Sequence, residues 1–590
     1  MYKILAYCIL TISLSACQIK NISLTEQHAL QAQKNAPLQH LIDEAWEITL
    51  DADPNFAYDQ GRLSQAGKLT DMSSATLAKL NIRREQLLGS LKSLDKSNLS
   101  KENKINAQIL QNQLQNNVDL YKYKDHYQPI SSESGFHSDI ASITQARFAT
   151  AQDYLNYLAK LEALPEYFAQ QTYWLQQGLT TGITPPKVTL NGFENSIRAF
   201  ILPVEKSGYF TPFTQYPTHF SHAQKVTFTE QGRTLVENTV LPLYQEFYDF
   251  ITQEYIPAAR TSIATANLTD GKAFYENRVR YYTTLDMNSD QVHLLGLQEV
   301  KRIRGEMDKV IAEVGFKGTF AEFLNFLRTD PQFYPKTKQE LLKEAAYIAK
   351  KADAILPKFF GKLPRTPYGI KEVPAEIAPK YTTGRYSGSN RSDEPGYYWV
   401  NTYALNKRPL YEMEALTLHE AVPGHHLQIS LNTELTSLPK FRRYSYISAF
   451  GEGWGLYCEY LGLEAGFYQD PYSNFGRLTY EMWRAARLVV DTGMHAKGWS
   501  RQQALDFMAS NTALSLHNVT TEIDRYITWP GQALSYKIGE LTIKRLRTQA
   551  EQQLGDQFDI RSFHDAILEH GSVPMLVLEQ QIQDFISAQK

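Results

Sequence analysis

Three cysteines in 590 residues are too few for a disulfide framework, and their positions remove even a single internal bridge. Cys8 falls in a removable targeting segment and Cys17 at its end, which leaves Cys458 alone. Long apolar runs are equally scarce. Residues 4–14 form the one candidate, and it is too short to span a bilayer. No excess of either charge exists: the formal net charge is −3, with no basic stripe of the kind a nucleic-acid partner would call for. No repeat is present and no βαβ alternation, so the pattern does not predict a parallel sheet. Gly384 and Gly388 lack the lysine–serine pair and the strand–helix setting of a phosphate loop.

What remains is an ordinary soluble composition, 43% hydrophobic and 21% charged, in a chain long enough to bury a large core. Aromatic residues make up 12%, including 36 tyrosines, which suits a cleft with amphipathic walls but equally a filled core. Residues 1–17 read as a lipoprotein signal peptide: Lys3, the apolar run, then Leu14-Ser15-Ala16-Cys17, a lipobox-like ending. Cleavage before Cys17 would leave its sulfur to carry a diacylglycerol anchor. Gln18 in place of aspartate favours the outer membrane, facing the periplasm, by analogy with bacterial sorting rules.

Residues 18–37 are polar and read as a tether, followed by an N-terminal helical region over 38–270 and a catalytic region over 271–590, one body around a cleft. Helical spacing is clearest from Tyr154 to Leu175, ending at Gly178, with Pro165 expected to separate two helices or kink one. Further amphipathic segments lie near 222–265, 289–313 and 337–356. Asn288 or Ser289 is the expected N-cap of the second, and Thr337 with Glu340 has capping-box spacing in the third. Prolines crowd 363–379, which predicts an irregular junction. Tyr397-Tyr398-Trp399-Val400-Asn401-Thr402, after Pro395-Gly396, is the best strand candidate.

The chemistry sits between Glu412 and Glu464. Apolar residues at helical spacing lead into His419-Glu420-Ala421-Val422-Pro423-Gly424-His425-His426, and a second helix carries Glu452 and Glu459 on one face. Two neutral imidazoles and a carboxylate are the ligand set of a catalytic zinc, which keeps an open position. A carboxylate beside the first ligand can act as general base. The usual zinc motif puts its histidines four residues apart on one helical face. Here the second histidine is six (His425) or seven (His426) residues on. On a regular helix the first choice lies roughly 120° around, and the second about 10 Å further along. Pro423-Gly424 can break regularity, and a two-residue bulge there is the expected remedy. The plainer alternative is a kinked helix with buried histidines, which would bury much unpaired polarity.

"LHEAVPGHHLQ" followed by "GEGWGLYCEYL" resembles the bacterial domain-of-unknown-function 885 family, whose members are often described as lipoproteins. The likeness extends to "YYTTLDMNSDQVHLLGLQEVKRIRGEM", "YYWVNTYALNKRP", "RLVVDTGMHAKGWS" and "EIDRYITWPGQALSYKIGEL". The family is grouped with the gluzincin metallopeptidases. The resemblance implies a mainly α, gluzincin-like fold with a small sheet edge beside the zinc helix. It also implies one Zn2+, held by His419, by His425 or His426, and by Glu452, with Glu420 as base. His425 is preferred because gluzincin motifs have a small residue before the second histidine, here Gly424. Glu459 is then a group that orients a ligand, and Tyr536 or Tyr526 the donor to the oxyanion, with Tyr536 favoured. An edge strand upstream of the ligand helix would let a peptide substrate add to it, or would simply support that helix.

Cys458 reads as a packing residue. Arg487 and Asp491 are spaced as a structural pair, though an arginine of this helix, Arg484 included, could instead hold a substrate carboxylate, and His495 is similarly ambiguous. Residues 558–586 should form two closing helices. The expected activity is zinc-dependent peptide-bond hydrolysis in the cell envelope. The alternatives are an inactive binding lipoprotein and a zinc hydrolase of a non-peptide amide.

Overall fold

The computed structural model describes residues 24–375, 377–379, 381–389 and 394–590, with side chains from residue 34 onward. The signal peptide and Cys17 lie outside the described residues. Helices dominate, and a single three-stranded sheet accompanies them among the described residues. No helix there is long and apolar enough to cross a membrane.

Local signals set most helix starts. Asn288 caps Ser289–Glu313 with a reciprocal bond to Gln291. Thr337 accepts the Glu340 amide at the start of Lys338–Phe359, while the Glu340 carboxylate reaches back to the Lys336 N–H, so only half of the expected box forms. Three expectations need correction. Ala151–Thr181 is one helix that carries Pro165 inside it and runs past Gly178 to Gly182, whose φ of 73° supplies the left-handed stop. Its buried face, from Tyr154 to Gly178, offsets the roughly 3 kcal/mol a mid-helix proline costs. The first helix, Leu24–Ala52, starts inside the stretch expected to be a tether. The proline-rich stretch also contains a strand, β1 (Tyr368–Glu372).

With β2 (Gly384–Ser387) and β3 (Gly396–Val400), β1 forms a sheet of order β1-β3-β2. β3 pairs parallel with β1 and antiparallel with β2, Tyr398 facing Ile370 on one side and Tyr386 on the other. The strand expected at the edge is therefore the central one, and β2 is the edge that meets the ligand helix.

Buried side chains divide the chain differently from a boundary at 270. Leu38, Leu91 and Leu110 join Ile303, Leu341, Leu418, Trp454 and Leu578 in the main core. Residues 130–259 build a second core rich in aromatic rings, among them Tyr154, Tyr157, Phe168, Tyr209 and Tyr244. Many tyrosines are thus core residues, and some of their hydroxyls pair there, Tyr209 with Tyr244 at 2.7 Å and Tyr244 donating to the His137 carbonyl at 2.6 Å, whereas the buried Tyr255 hydroxyl has no partner. Residues 560–568 and 575–589 close the fold as two helices.

Two helices of the main core bring Glu452 and Tyr536 to the site, and glycine sets their spacing. Ser448–Leu461 crosses Ser535–Leu554 at Gly453 and Gly539. A Cβ on Gly539 would stand 2.0 Å from the Ala449 carbonyl oxygen, so the helix backbones touch directly.

Candidate metal centre

The helix Met413–Glu420 stops directly after the His-Glu pair, and a second one, His425–Glu434, begins at the next histidine. Between them Ala421 to Gly424 are non-helical, with ψ near −115° and −129° at the two ends and a cis Val422–Pro423 bond. The expected two-residue bulge is instead a four-residue break between two helices. Gly424 is required there because a Cβ would lie 1.9 Å from the His419 carbonyl oxygen. Trp454 fixes the break by donating its indole N–H to the Pro423 carbonyl at 2.9 Å.

The break sends the two candidate histidines in different directions. His425 turns toward His419, the two rings 4.7 Å apart and nearly perpendicular. His426, 2% exposed, turns away and bonds the Tyr386 hydroxyl at 2.9 Å, with Ser430 at 3.3 Å. From the helix Ser448–Leu461, Glu452 meets both inward histidines: Oε2 lies 3.6 Å from His419 Nε2 and 3.3 Å from His425 Nε2. Gly455, one turn along, leaves room for the His419 ring, which a Cβ would approach to 2.7 Å. Glu459 takes the other face of His419, Oε1 to Nδ1 at 2.8 Å, and is itself 3.2 Å from Arg484.

His419, His425 and Glu452 each present one ligand atom, and these atoms lie within 4.8 Å of one another. Two imidazole nitrogens and a carboxylate oxygen suit zinc. The electrostatics agree with a cation site. Burial opposes a charge on His419, yet Glu452 and Glu459 outweigh it and raise this group to about 9. Burial likewise works against ionised Glu452, but His425 and His419 hold it well below the usual carboxylate range. Glu459 does for His419 what carboxylates do for metal-bound imidazoles, fixing ring and tautomer, whereas His425 Nδ1 is buried with no hydrogen-bond partner. Glu459→Gln should therefore weaken zinc binding about 10- to 100-fold while the circular-dichroism melt persists. Unchanged zinc affinity against a competing chelator would leave Glu459 only its Arg484 contact.

Glu420 is not among the three. Its Oε2 accepts the Tyr386 backbone N–H at 2.7 Å, so edge strand β2 holds the carboxylate. The centre opens on a cavity of about 210 Å³, lined by Glu420, Tyr386, Arg385, Trp483, Arg487 and Tyr536 among others. A larger cavity of about 620 Å³, between the two cores, shares Glu452, Tyr446, Arg385 and Arg525 with it. The Tyr536 ring lies 6.2 Å from His419 in a near-parallel stack, and the Arg487 guanidinium is 4.2 Å from its centre. Burial and then Glu452 push the Tyr536 hydroxyl up, outweighing the arginines, so it keeps a proton to donate. Tyr526 is instead locked in the wall, accepting from Trp483 and Arg487 and donating to Glu522 at 2.6 Å.

The expected Arg487–Asp491 pair does not form. Arg487 bonds Glu522, and Asp491 accepts from Tyr275 and the Gly531 N–H. His495 is occupied by Thr265 and the Tyr526 carbonyl, and Cys458 is buried in the core. Sequence reasoning missed Arg385, Tyr386 and Tyr446. The first two lie in a glycine- and serine-rich stretch that gives no strand signal, and Tyr446 in a short loop before the helix Ser448–Leu461.

The chain belongs to the family described as "Bacterial protein of unknown function (DUF885)", whose model matches residues 54–582. Among solved structures it resembles "the putative lipoprotein from Colwellia psychrerythraea", at 28% identity and a TM-score of 0.84, over 96% of this chain and all of that one. A "putative lipoprotein of unknown function from Shewanella oneidensis" shares the fold at 19% identity and a TM-score of 0.69, over 92% of this chain and 98% of that one. No curated protein matches the chain.

Proposed function

We propose that this protein is a zinc-dependent, gluzincin-like peptidase of the cell envelope. The observation that carries the reading is the convergence of His419, His425 and Glu452 within 4.8 Å in a cavity that Glu420 also lines. A zinc ion held by these three would act as a Lewis acid toward a scissile carbonyl. Glu420, steadied by the Tyr386 N–H, takes the proton of an attacking water. The water oxygen bonds to the carbonyl carbon, the C–N bond breaks, and Glu420 returns the proton to the leaving amine. Tyr536, still protonated, donates to the oxyanion that forms on the way. The edge strand β2 offers a line along which an extended peptide can lie.

Incubating the zinc-loaded protein with a diverse peptide mixture should give cleavage products by mass spectrometry, and removing zinc with a chelator should abolish them. Products that persist without metal would overturn the reading.

The envelope location rests on the Leu14–Cys17 pattern and on the lipoprotein descriptions of the two structural neighbours. In this reading Cys17 carries the lipid and the protein faces the periplasm from the outer membrane. Cys17→Ser should abolish labelling by a radioactive or clickable fatty acid and leave the precursor uncleaved or released. A wild-type mature protein without fatty acid would remove the anchor.

A further inference from the structure

We propose that the metal cavity receives the free carboxylate of its substrate at Arg487, with Arg385 beside it, so that peptides enter by their C-terminal end. This rests on the peptidase reading above. Four arginines line the inner cavity, and they divide its carboxylates unequally. Arg484 is committed to Glu459 at 3.2 Å. Arg487 and Arg525 share one oxygen, Glu522 Oε2, each at 3.0 Å, and the Tyr526 hydroxyl donates to that same atom. Arg525 also donates to Gln532 and stands 4.0 Å from Glu133. Arg385, which lines both cavities, has no carboxylate within 4 Å among the described residues. Beyond Glu420 and Glu452 at the metal end of the cavity, these three guanidiniums face two carboxylates, Glu522 and Glu133, and Arg487 and Arg525 share the first of them.

Two buried guanidinium donors of this wall also lack a partner, Arg484 Nε and Arg487 Nη1. Arg487 is 2% exposed, lines the inner cavity, and its Nη1 is buried with no hydrogen-bond partner. A buried charged donor left unpaired is costly, and a carboxylate is the group whose geometry matches a guanidinium. The shape of the space says which carboxylate. Trp483, Arg484 and Arg487, all buried, line the inner cavity alone, whereas Glu452, Arg385 and Arg525 line the larger cavity as well. A peptide that enters from the larger cavity with its C-terminus leading can therefore bring its free carboxylate to Arg487. The Tyr536 ring centre is 4.2 Å from the Arg487 guanidinium and 6.2 Å from the His419 ring centre, so the carboxylate site and the metal site share one small space.

The test uses zinc-loaded Glu420→Gln protein, which should bind without cleaving. Isothermal titration compares a five-residue uncharged peptide as free acid, the same peptide as C-terminal amide, and that amide with glutamate at its last position. The free acid should bind about 10- to 100-fold tighter than the plain amide, the range expected for charge-assisted hydrogen bonds. Arg385→Gln and Arg487→Lys should each shrink that ratio, with folding checked by thermal melts. Equal binding of acid and amide, or no binding of either, overturns the proposal. If the glutamate-bearing amide matches the free acid, the site reads an acidic side chain, and the C-terminal assignment fails. Because the readout is binding, an absence of cleavage by the wild type would count against the peptidase reading and not against this one.

Discussion

Glu420→Gln should leave zinc content and thermal stability unchanged and lower peptide hydrolysis by at least ~10²–10⁴-fold, the usual contribution of a positioned general base. Glutamine keeps an oxygen that can accept the Tyr386 N–H now held at 2.7 Å by Oε2, so the side chain retains its anchor in β2. What disappears is the capacity to take and return a proton. The ligand cluster is His419, His425 and Glu452, and Glu420 lies outside it, which is why zinc should survive. Hydrolysis rates, metal content by mass spectrometry and a melting curve on the same preparation decide the matter. If the wild type cleaves nothing across a broad library, yet binds peptides equally well with Glu420→Gln, the protein is a binding lipoprotein. If the variant loses its zinc, Glu420 is a ligand and its role as base is misassigned.

The candidate metal cluster was legible in the sequence because its residues are local. A helix, a Pro-Gly interruption and a second glutamate-bearing helix span few residues, and spacing constrains where their side chains can point. The detail of the interruption was not legible. Whether Pro423-Gly424 makes a bulge inside one helix or a gap between two depends on Trp454 reaching the Pro423 carbonyl, a contact across 31 positions. The choice of His425 over His426 likewise follows from the Tyr386 hydroxyl, 40 positions upstream, which occupies His426.

Strands were read poorly for a related reason. β3 carries the aromatic and β-branched residues that favour a pleated surface, so it stood out, but its place in the sheet is set by its neighbours. β1 and β2 contain Gly369, Gly384 and Ser387, which carry no strand signal, and they exist because β3 and the ligand helix offer them partners. The two cores were hidden as well, since Leu38, Leu91 and Leu110 reach the main core only through long-range packing. Tyr526 and Tyr536 looked equivalent by distance along the chain. Three polar partners separate them, holding Tyr526 in the wall and leaving Tyr536 at the cavity.

His419→Ala, His425→Ala and Glu452→Ala should each strip most of the zinc from the purified protein, while His426→Ala keeps it. Three ligands are the minimum of a catalytic site, and two leave the ion too exposed to compete with solvent. The consequences for the fold differ among the variants. Removing Glu452 leaves His419 with Glu459 as its remaining carboxylate partner, and removing His419 leaves Glu459 with Arg484. Breaking a buried charge pair by deleting one member costs roughly 3–5 kcal/mol, so metal content must be compared on protein shown by its melt to be folded. His425→Ala is the cleanest test, because its Nδ1 has no partner to lose and its Nε2 faces only Glu452 and the metal position. His426→Ala gives up bonds to Tyr386 and Ser430 and should cost stability without touching zinc. Full occupancy in His425→Ala with loss in His426→Ala would move the ligand to His426, and the four-residue break would then need another purpose. If all four variants keep their zinc, the ion sits elsewhere, and the convergence of His419, His425 and Glu452 is an ion-pair cluster of the core.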